Sequence, residues 1–103
     1  MKKTLTIICL LLICQFLVRA QESSSWFSVK ELRPQVWVIG DHGADNMYVI
    51  EGSDSALLVD TGLGAADLLA CMKTMISKPM IAVSTLGHPD HSGANYQFEK
   101  VYM

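Results

Sequence analysis

The chain has 103 residues and a formal net charge of −2 at pH 7, so one small domain is the most that its length allows. Its lysines and arginines are dispersed and form no basic stripe, which argues against nucleic acid as a partner. Of the cysteines at positions 9, 14 and 71, two lie in an N-terminal apolar segment. If that segment is removed, Cys71 has no partner within the chain for a disulfide.

The first 20 residues have the pattern of a Sec-type signal peptide. A pair of lysines provides the positive start, a largely apolar run covers residues 5–18, and cleavage is expected near Ala20. The alternative is an uncleaved membrane anchor, but the apolar run is short for a bilayer span, which needs about 20 residues. We therefore expect a secreted or periplasmic protein that meets the membrane only through its signal peptide.

The rest of the chain alternates short apolar runs with turn residues. Residues 21–34 begin with a polar, serine-rich stretch, and we expect a flexible mature N-terminus there, followed by a partial domain over 35–103. Runs rich in β-branched and aromatic residues predict strands, and a helical period of apolar residues predicts a helix. The predicted elements are strands over 35–39, 46–50, 56–59 and 80–83, a helix over 65–77, a loop over 85–93, a short helix over 94–99 and a strand that starts at residue 100.

The helix between the third and fourth predicted strands implies a parallel pair within a mixed α/β sheet. In such sheets, ligands bind beyond the carboxyl ends of the strands. The loops after Val59 and Val83 both lie at that edge. We therefore expect Asp60 to share one site with the motif that follows Val83.

That motif is His-Pro-Asp-His over residues 88–91. Two imidazoles and one carboxylate are the ligands that hold zinc when one position stays open for water. Zinc-bound water loses a proton near neutral pH and becomes a nucleophile. The sequence thus predicts a zinc site that includes His88, Asp90 and His91.

Residues 85–94 (Thr-Leu-Gly-His-Pro-Asp-His-Ser-Gly-Ala) resemble the metallo-β-lactamase superfamily motif Thr-His-x-His-x-Asp-His-x-Gly-Gly. Residues 57–62, which end in Asp-Thr-Gly, look like a turn of the same family, and the two matches together are more specific than either alone. The resemblance covers about residues 36–103. It implies the N-terminal half of an αβ/βα sandwich, and a zinc-dependent hydrolase of small-molecule esters, thioesters or lactams that acts through metal-bound hydroxide.

The resemblance also implies a role for each motif residue. His88 matches a ligand of the first metal and His91 a ligand of the second. Asp90 matches the aspartate that binds the second metal or orients the water, so it is the predicted catalytic residue. Asp60 matches a buried aspartate at the edge of the site, which is more often structural than a ligand. The first motif histidine falls at Leu86, which cannot coordinate a metal.

The family's later ligands lie beyond residue 103 in the order of its motifs, and its fold has two similar halves. A site for one or two zinc ions is therefore expected to be incomplete in this chain, which looks like an N-terminal fragment, a truncated product or a decayed copy. A partner chain or a missing C-terminal half would complete it.

Three alternatives remain open from the residues. The motif side chains could form a hydrogen-bonded loop cluster without metal, in a non-catalytic secreted pseudo-enzyme or binding module. His42, in a Gly/Asp-rich loop, could face the substrate groove, although a turn histidine is expected at the solvent. Asp60-Thr61-Gly62 also occurs in aspartic proteases, where Asp60 would be catalytic, but the helix that follows departs from that family.

Overall fold

The computed structural model describes residues 3, 7–9 and 26–103. The predicted cleavage site near Ala20, most of the predicted signal peptide and the serine-rich stretch after it lie outside these residues. No helix in the described part of the chain combines the length and the hydropathy that a membrane crossing requires.

The described residues form one six-stranded sheet whose strand order follows the chain. Its strands are β1 (Phe27–Arg33), β2 (Val36–Asp41), β3 (Asp45–Glu51), β4 (Ala56–Val59), β5 (Met80–Val83) and β6 (Lys100–Tyr102). Helix α1 (Leu68–Met75) connects β4 to β5, and a single turn, α2 (Pro89–Ser92), and a 3-10 turn (Asn95–Gln97) lie between β5 and β6. Strands β1 to β4 pair antiparallel, and β5 is parallel to both β4 and β6. The mixed sheet with its helices confirms the predicted α/β class.

Strands β4 and β5 occupy the predicted ranges, 56–59 and 80–83. Both are apolar runs bounded by turn residues, the pattern that most clearly marks a buried strand. Val59 lies opposite Val83 in a parallel register. The loops that leave the two strands therefore start side by side, as the predicted crossover requires.

Strand β1 lies within the segment predicted to be flexible, 21–34. It pairs antiparallel with β2, with a register shift between Glu31 and Arg33. After Phe27 its side chains are all exposed, and Leu32 is 50% exposed. Backbone pairing with β2 rather than burial stabilises this strand, so the short alternation of apolar and polar residues over 27–30 does not create a buried face.

The helices are shorter than predicted. Asp67 accepts a hydrogen bond from the amide of Ala70 at 3.0 Å, and this N-cap makes α1 begin at Leu68 rather than at residue 65. At its other end Ile76 is extended, with φ −123° and ψ 126°. The predicted loop 85–93 contains α2, which starts at Pro89, and the predicted helix 94–99 is only a 3-10 turn.

The core lies between α1 and one face of the sheet. Burying each large apolar side chain contributes about 1.5–3 kcal/mol. The fully buried apolar residues include Ile39, Met47, Val49, Leu58, Leu68, Met72 and Ala82. The opposite face is more open, with Tyr48 and Ile50 at 42% and 45% exposure.

Candidate metal centre

The loop after β4 contacts both the end of β5 and helix α2. The amide of Asp60 donates to the carbonyl of Val83 at 2.8 Å, and the amide of Thr61 donates to the carbonyl of His91 at 2.9 Å. Asp60 has φ +65°, in the left-handed region that residues other than glycine seldom adopt. These bonds bring Asp60 and the histidine motif together, as the topology predicted.

Two glycines allow the loop and α2 to approach closely. The amide of Gly93 donates to the carbonyl of Gly62 at 2.8 Å. A Cβ atom at Gly93 would overlap the carbonyl oxygen of Leu63, and a Cβ at Gly62 would overlap the carboxylate of Asp41. Glycine is therefore required at both positions for this backbone packing.

Asp60 is a buried carboxylate, 7% exposed, with three donors. It accepts from the amide of Thr85 at 2.7 Å, from the Thr85 hydroxyl at 2.8 Å and from Nδ1 of His91 at 3.1 Å. Burial alone would raise the pKa of Asp60, but the hydrogen bonds from Thr85 and His91 outweigh it and lower that pKa below its usual 3.8. Asp60 is thus an anion that orients the ring of His91.

The other ring nitrogen of His91 faces Asp90, with Nε2 at 3.4 Å from the Asp90 carboxylate. The hydrogen bond to Asp60 is the largest cause that raises the pKa of His91; partial burial opposes it, and the charges of Asp90, Asp60 and Asp45 add to it. In the neutral ring, an Nδ1–H that donates to Asp60 leaves the lone pair of Nε2 free. This is the carboxylate–histidine arrangement that fixes a metal-binding imidazole.

Asp45, at the start of β3, joins these two residues. One oxygen each from Asp45 and Asp90 and one ring nitrogen of His91 all lie within 4.8 Å of one another. Oδ2 of Asp45 is buried and has no hydrogen-bond partner in the described part of the chain. The negative charges of two carboxylates this close repel each other, and solvent reduces the repulsion because the Asp90 side chain is 47% exposed. A divalent cation would relieve that repulsion, and a set of one imidazole and two carboxylates fits zinc.

His88 lies outside this group of three. Its side chain is exposed, and its backbone carbonyl accepts from the amide of His91 at 3.0 Å and from the Ser92 hydroxyl at 2.9 Å. Leu86 is 50% exposed. Among the predicted ligands the structure thus brings together Asp90 and His91 and does not bring His88 to them.

Asp41 is a structural residue of the site that the sequence analysis did not predict. This carboxylate is 1% exposed and accepts from the indole of Trp26 at 2.7 Å and from the amide of Leu63 at 2.6 Å. His42 stacks on Trp26 with ring centroids 4.0 Å apart. It is exposed, as expected of a turn histidine. Asp41 therefore ties the β2–β3 turn to the loop after β4.

Residues 40–103 match the model of the metallo-beta-lactamase superfamily, so the chain belongs to this superfamily. It is similar to proteins named acyl-coenzyme A thioesterase MBLAC2: 29% identical to that of Bos taurus, 28% to that of Homo sapiens and 33% to that of Gallus gallus. The matches cover 74% of this chain and 32–33% of the relatives. The chain thus spans about one third of the length of the curated relatives it matches.

Family membership accounts for Asp60 without the aspartic-protease interpretation. A catalytic carboxylate of that class needs a second carboxylate and access to substrate. Asp60 is 7% exposed and is engaged by Thr85 and His91 instead. Its geometry is that of a positioning residue.

Proposed function

We propose that this chain forms the N-terminal, metal-binding part of a zinc-dependent hydrolase that cleaves thioesters. The observation that carries the proposal is the continuous contact from Asp60 through the ring of His91 to Asp90. The superfamily match supports hydrolysis. Among the esters, thioesters and lactams that the sequence left open, the name acyl-coenzyme A thioesterase given to the relatives favours the thioester.

Asp60, Asp90 and His91 have different proposed roles in this centre. A bound zinc would supply a Lewis acid and an acidic water molecule at neutral pH. His91 and Asp90 would hold the ion, and Asp60 keeps the proton of His91 on Nδ1 so that Nε2 faces the centre. The side chain of Asp90 is 47% exposed, so its carboxylate is also open to a water molecule and to substrate. We assign to Asp90 the role of orienting that water.

The proposal for the whole enzyme reaches beyond these residues. Because the chain spans about one third of its relatives, we propose that a C-terminal half or a partner chain adds further ligands and further substrate contacts to a metal centre that the residues of this chain hold. The proposed location is secreted or periplasmic, which rests on the signal-peptide pattern of residues 1–20.

A second candidate is a non-catalytic metal-binding module. It is favoured by Leu86, which is exposed at the position of the family's first histidine, and by the exposed side chain of His88. A chain that holds metal through Asp90 and His91 alone among the motif residues could bind an ion without turning over substrate. The two candidates differ only in catalysis, so an activity assay separates them.

The test is hydrolysis of an acyl-thioester by the purified 103-residue chain, followed by the loss of thioester absorbance in zinc and in chelator. The hydrolase proposal predicts zinc-dependent turnover that Asp90→Asn abolishes. Asp54→Asn, the same change at an exposed turn residue, should leave turnover unaltered. Zinc binding without turnover would contradict the hydrolase for this chain and support the binding module.

A further inference from the structure

We propose that Asp45 is a protein ligand of the metal, and that Asp45, Asp90 and His91 form a three-ligand site that does not use His88. This inference rests on the metal centre of the proposed function and specifies its ligands. The motif comparison assigns no role to Asp45, because this residue lies far from the motif in sequence. The argument for it comes from the contacts of the β2–β3 turn.

The turn holds Asp45 in a fixed place. Asp45 pairs with Asp41 across the end of the hairpin, and the amide of Ala44 closes the turn by donating to the Asp41 carbonyl at 3.0 Å. The carboxylate of Asp41 in turn binds Trp26 and the amide of Leu63, in the loop that carries Asp60. The position of Asp45 relative to that loop is therefore set by a buried anchor rather than by a mobile side chain.

The carboxylate of Asp45 has unmet bonding capacity. Its Oδ2 is buried without a hydrogen-bond partner in the described residues. A buried carboxylate oxygen without a donor is unfavourable, and a neighbouring carboxylate within 4.8 Å makes it more so. A cation coordinated by both aspartates would give Oδ2 of Asp45 a partner and would also offset the charge of the neighbouring carboxylate.

The resulting donor set has the number of protein ligands that a catalytic zinc site has, and its imidazole and carboxylates are both zinc ligands. Three protein ligands with one open position are usual there, and Asp45 raises the number in this chain from two to three. Asp60 completes the arrangement as the carboxylate that holds the ligating histidine. The third ligand thus comes from the β2–β3 hairpin, although Leu86 replaces the family's first histidine.

The simplest rival is that Asp45 acts only through its charge, by attracting the protonated ring of His91. A ligand and a distant charge are separable with Co²⁺, whose visible spectrum reports its coordination. We would titrate Asp45→Asn, the control Asp54→Asn and the unaltered chain with Zn²⁺ by calorimetry and with Co²⁺ by absorbance.

If Asp45 is a ligand, Asp45→Asn weakens zinc binding by about 100-fold or more, beyond the 10- to 100-fold typical of outer-shell changes. It also alters the Co²⁺ spectrum, whereas Asp54→Asn changes neither quantity. Unchanged zinc affinity, weaker binding with an unchanged Co²⁺ spectrum, or no binding by the unaltered chain would each overturn the proposal.

Thermal unfolding separates a ligand from a structural residue. In chelator, Asp45→Asn should have a Tm close to that of the unaltered chain, because the contacts of Asp41 hold the β2–β3 turn without the Asp45 carboxylate. In zinc, the unaltered chain should gain stability and Asp45→Asn should lose most of that gain. A lower Tm in chelator would show that Asp45 is needed for folding and would count against the ligand role.

The outcomes also distinguish this inference from the proposed function. Metal binding through Asp45 without thioester turnover would leave the ligand assignment intact and contradict the hydrolase. Zinc-dependent turnover that survives Asp45→Asn would support the hydrolase and contradict the assignment of Asp45 as a ligand.

Discussion

The two histidines of the motif lie three positions apart and have opposite environments. His91 is 26% exposed in its side chain, and both ring nitrogens face carboxylates, at 3.1 Å from Asp60 and 3.4 Å from Asp90. His88 is exposed, and its hydrogen bonds around α2 are made by its backbone carbonyl. One histidine is built into the site and the other is not.

The difference shows that a metal motif depends on residues outside itself. Outside the motif, the carboxylates near His91 are Asp60, from the loop after β4, and Asp45, from the β2–β3 turn, and both precede the motif in the chain. The motif residue that would accompany His88 in the family is replaced by Leu86. His91 is held in place because the carboxylates that contact it belong to this chain, whereas His88 lacks the neighbouring histidine of the family motif.

The largest effect should follow from separating α2 from the loop after β4. In Gly93→Ala, the new Cβ would overlap the carbonyl of Leu63, and we expect a loss of about 3 kcal/mol in the free energy of unfolding, with loss of zinc binding. Gly87→Ala is the matched control, because neither Gly87 nor Gly93 has a positive φ, and the nearest atom to an added Cβ at Gly87 is Cε of Met103 at 3.7 Å. Denaturant unfolding measures both. Equal losses in the two variants would show that the replacement of a glycine, and not the contact with Leu63, sets the cost.

The second-largest effect should follow from removing the Asp60 carboxylate, which accepts a hydrogen bond from His91. Asp60→Asn leaves an amide in place of the carboxylate that holds Nδ1, and we expect zinc affinity to fall about 10- to 100-fold. Stability should fall by about 1–3 kcal/mol, because the donors of Thr85 lose a charged acceptor. Calorimetry on Asp60→Asn and Asp54→Asn checks this. An affinity that does not change would mean that Asp60 does not position the histidine.

The pair of Asp60 and His91 should also give the metal-free chain a stability optimum in pH. Because the pKa of Asp60 is lowered below 3.8, its contribution is present above that value and is lost as pH falls through the folded-state pKa. Because the pKa of His91 is raised above 6.5, its contribution is full below 6.5 and is lost as pH rises through the folded-state pKa.

The free energy of unfolding in chelator should therefore be greatest between about pH 4 and 6.5. His91→Gln should remove the decline on the alkaline side, and His88→Gln should keep it. A decline of the same size in both variants would locate the titrating group elsewhere.

The smallest effect is expected at Leu86. This side chain is 50% exposed, so Leu86→His should change stability by no more than about 0.5 kcal/mol. It should also leave the zinc stoichiometry at one per chain, because restoring one histidine does not by itself organise His88. Elemental analysis is the measurement, and a second zinc per chain would show that the first site needs only this residue.

The sequence predicted the sheet and the meeting of Asp60 with the motif because both follow from local pattern and topology. The apolar runs of β4 and β5 have clear ends, and a helical crossover makes them parallel. Strand β1 was not predicted, because backbone pairing stabilises it and its side chains are mostly exposed. The bounds of α1 depended on the cap at Asp67, a contact that periodicity does not show.

The site was predicted only in part, for a related reason. Asp90 and His91 belong to a recognisable motif, but Asp45 is one aspartate in a turn with two. Its place beside His91 follows from the β2–β3 register and from the Asp41 anchor, which involve residues distant in sequence. The exposure of His88 likewise depends on how α2 packs, and the motif alone does not determine it.

The most direct test of the difference between the two histidines is zinc binding by His91→Ala and His88→Ala, measured by calorimetry on the 103-residue chain. We expect His91→Ala to abolish binding, and His88→Ala to retain one zinc per chain with an affinity within about threefold of the unaltered chain. Loss of binding in His88→Ala, or its retention in His91→Ala, would contradict the assignment of the metal to Asp45, Asp90 and His91.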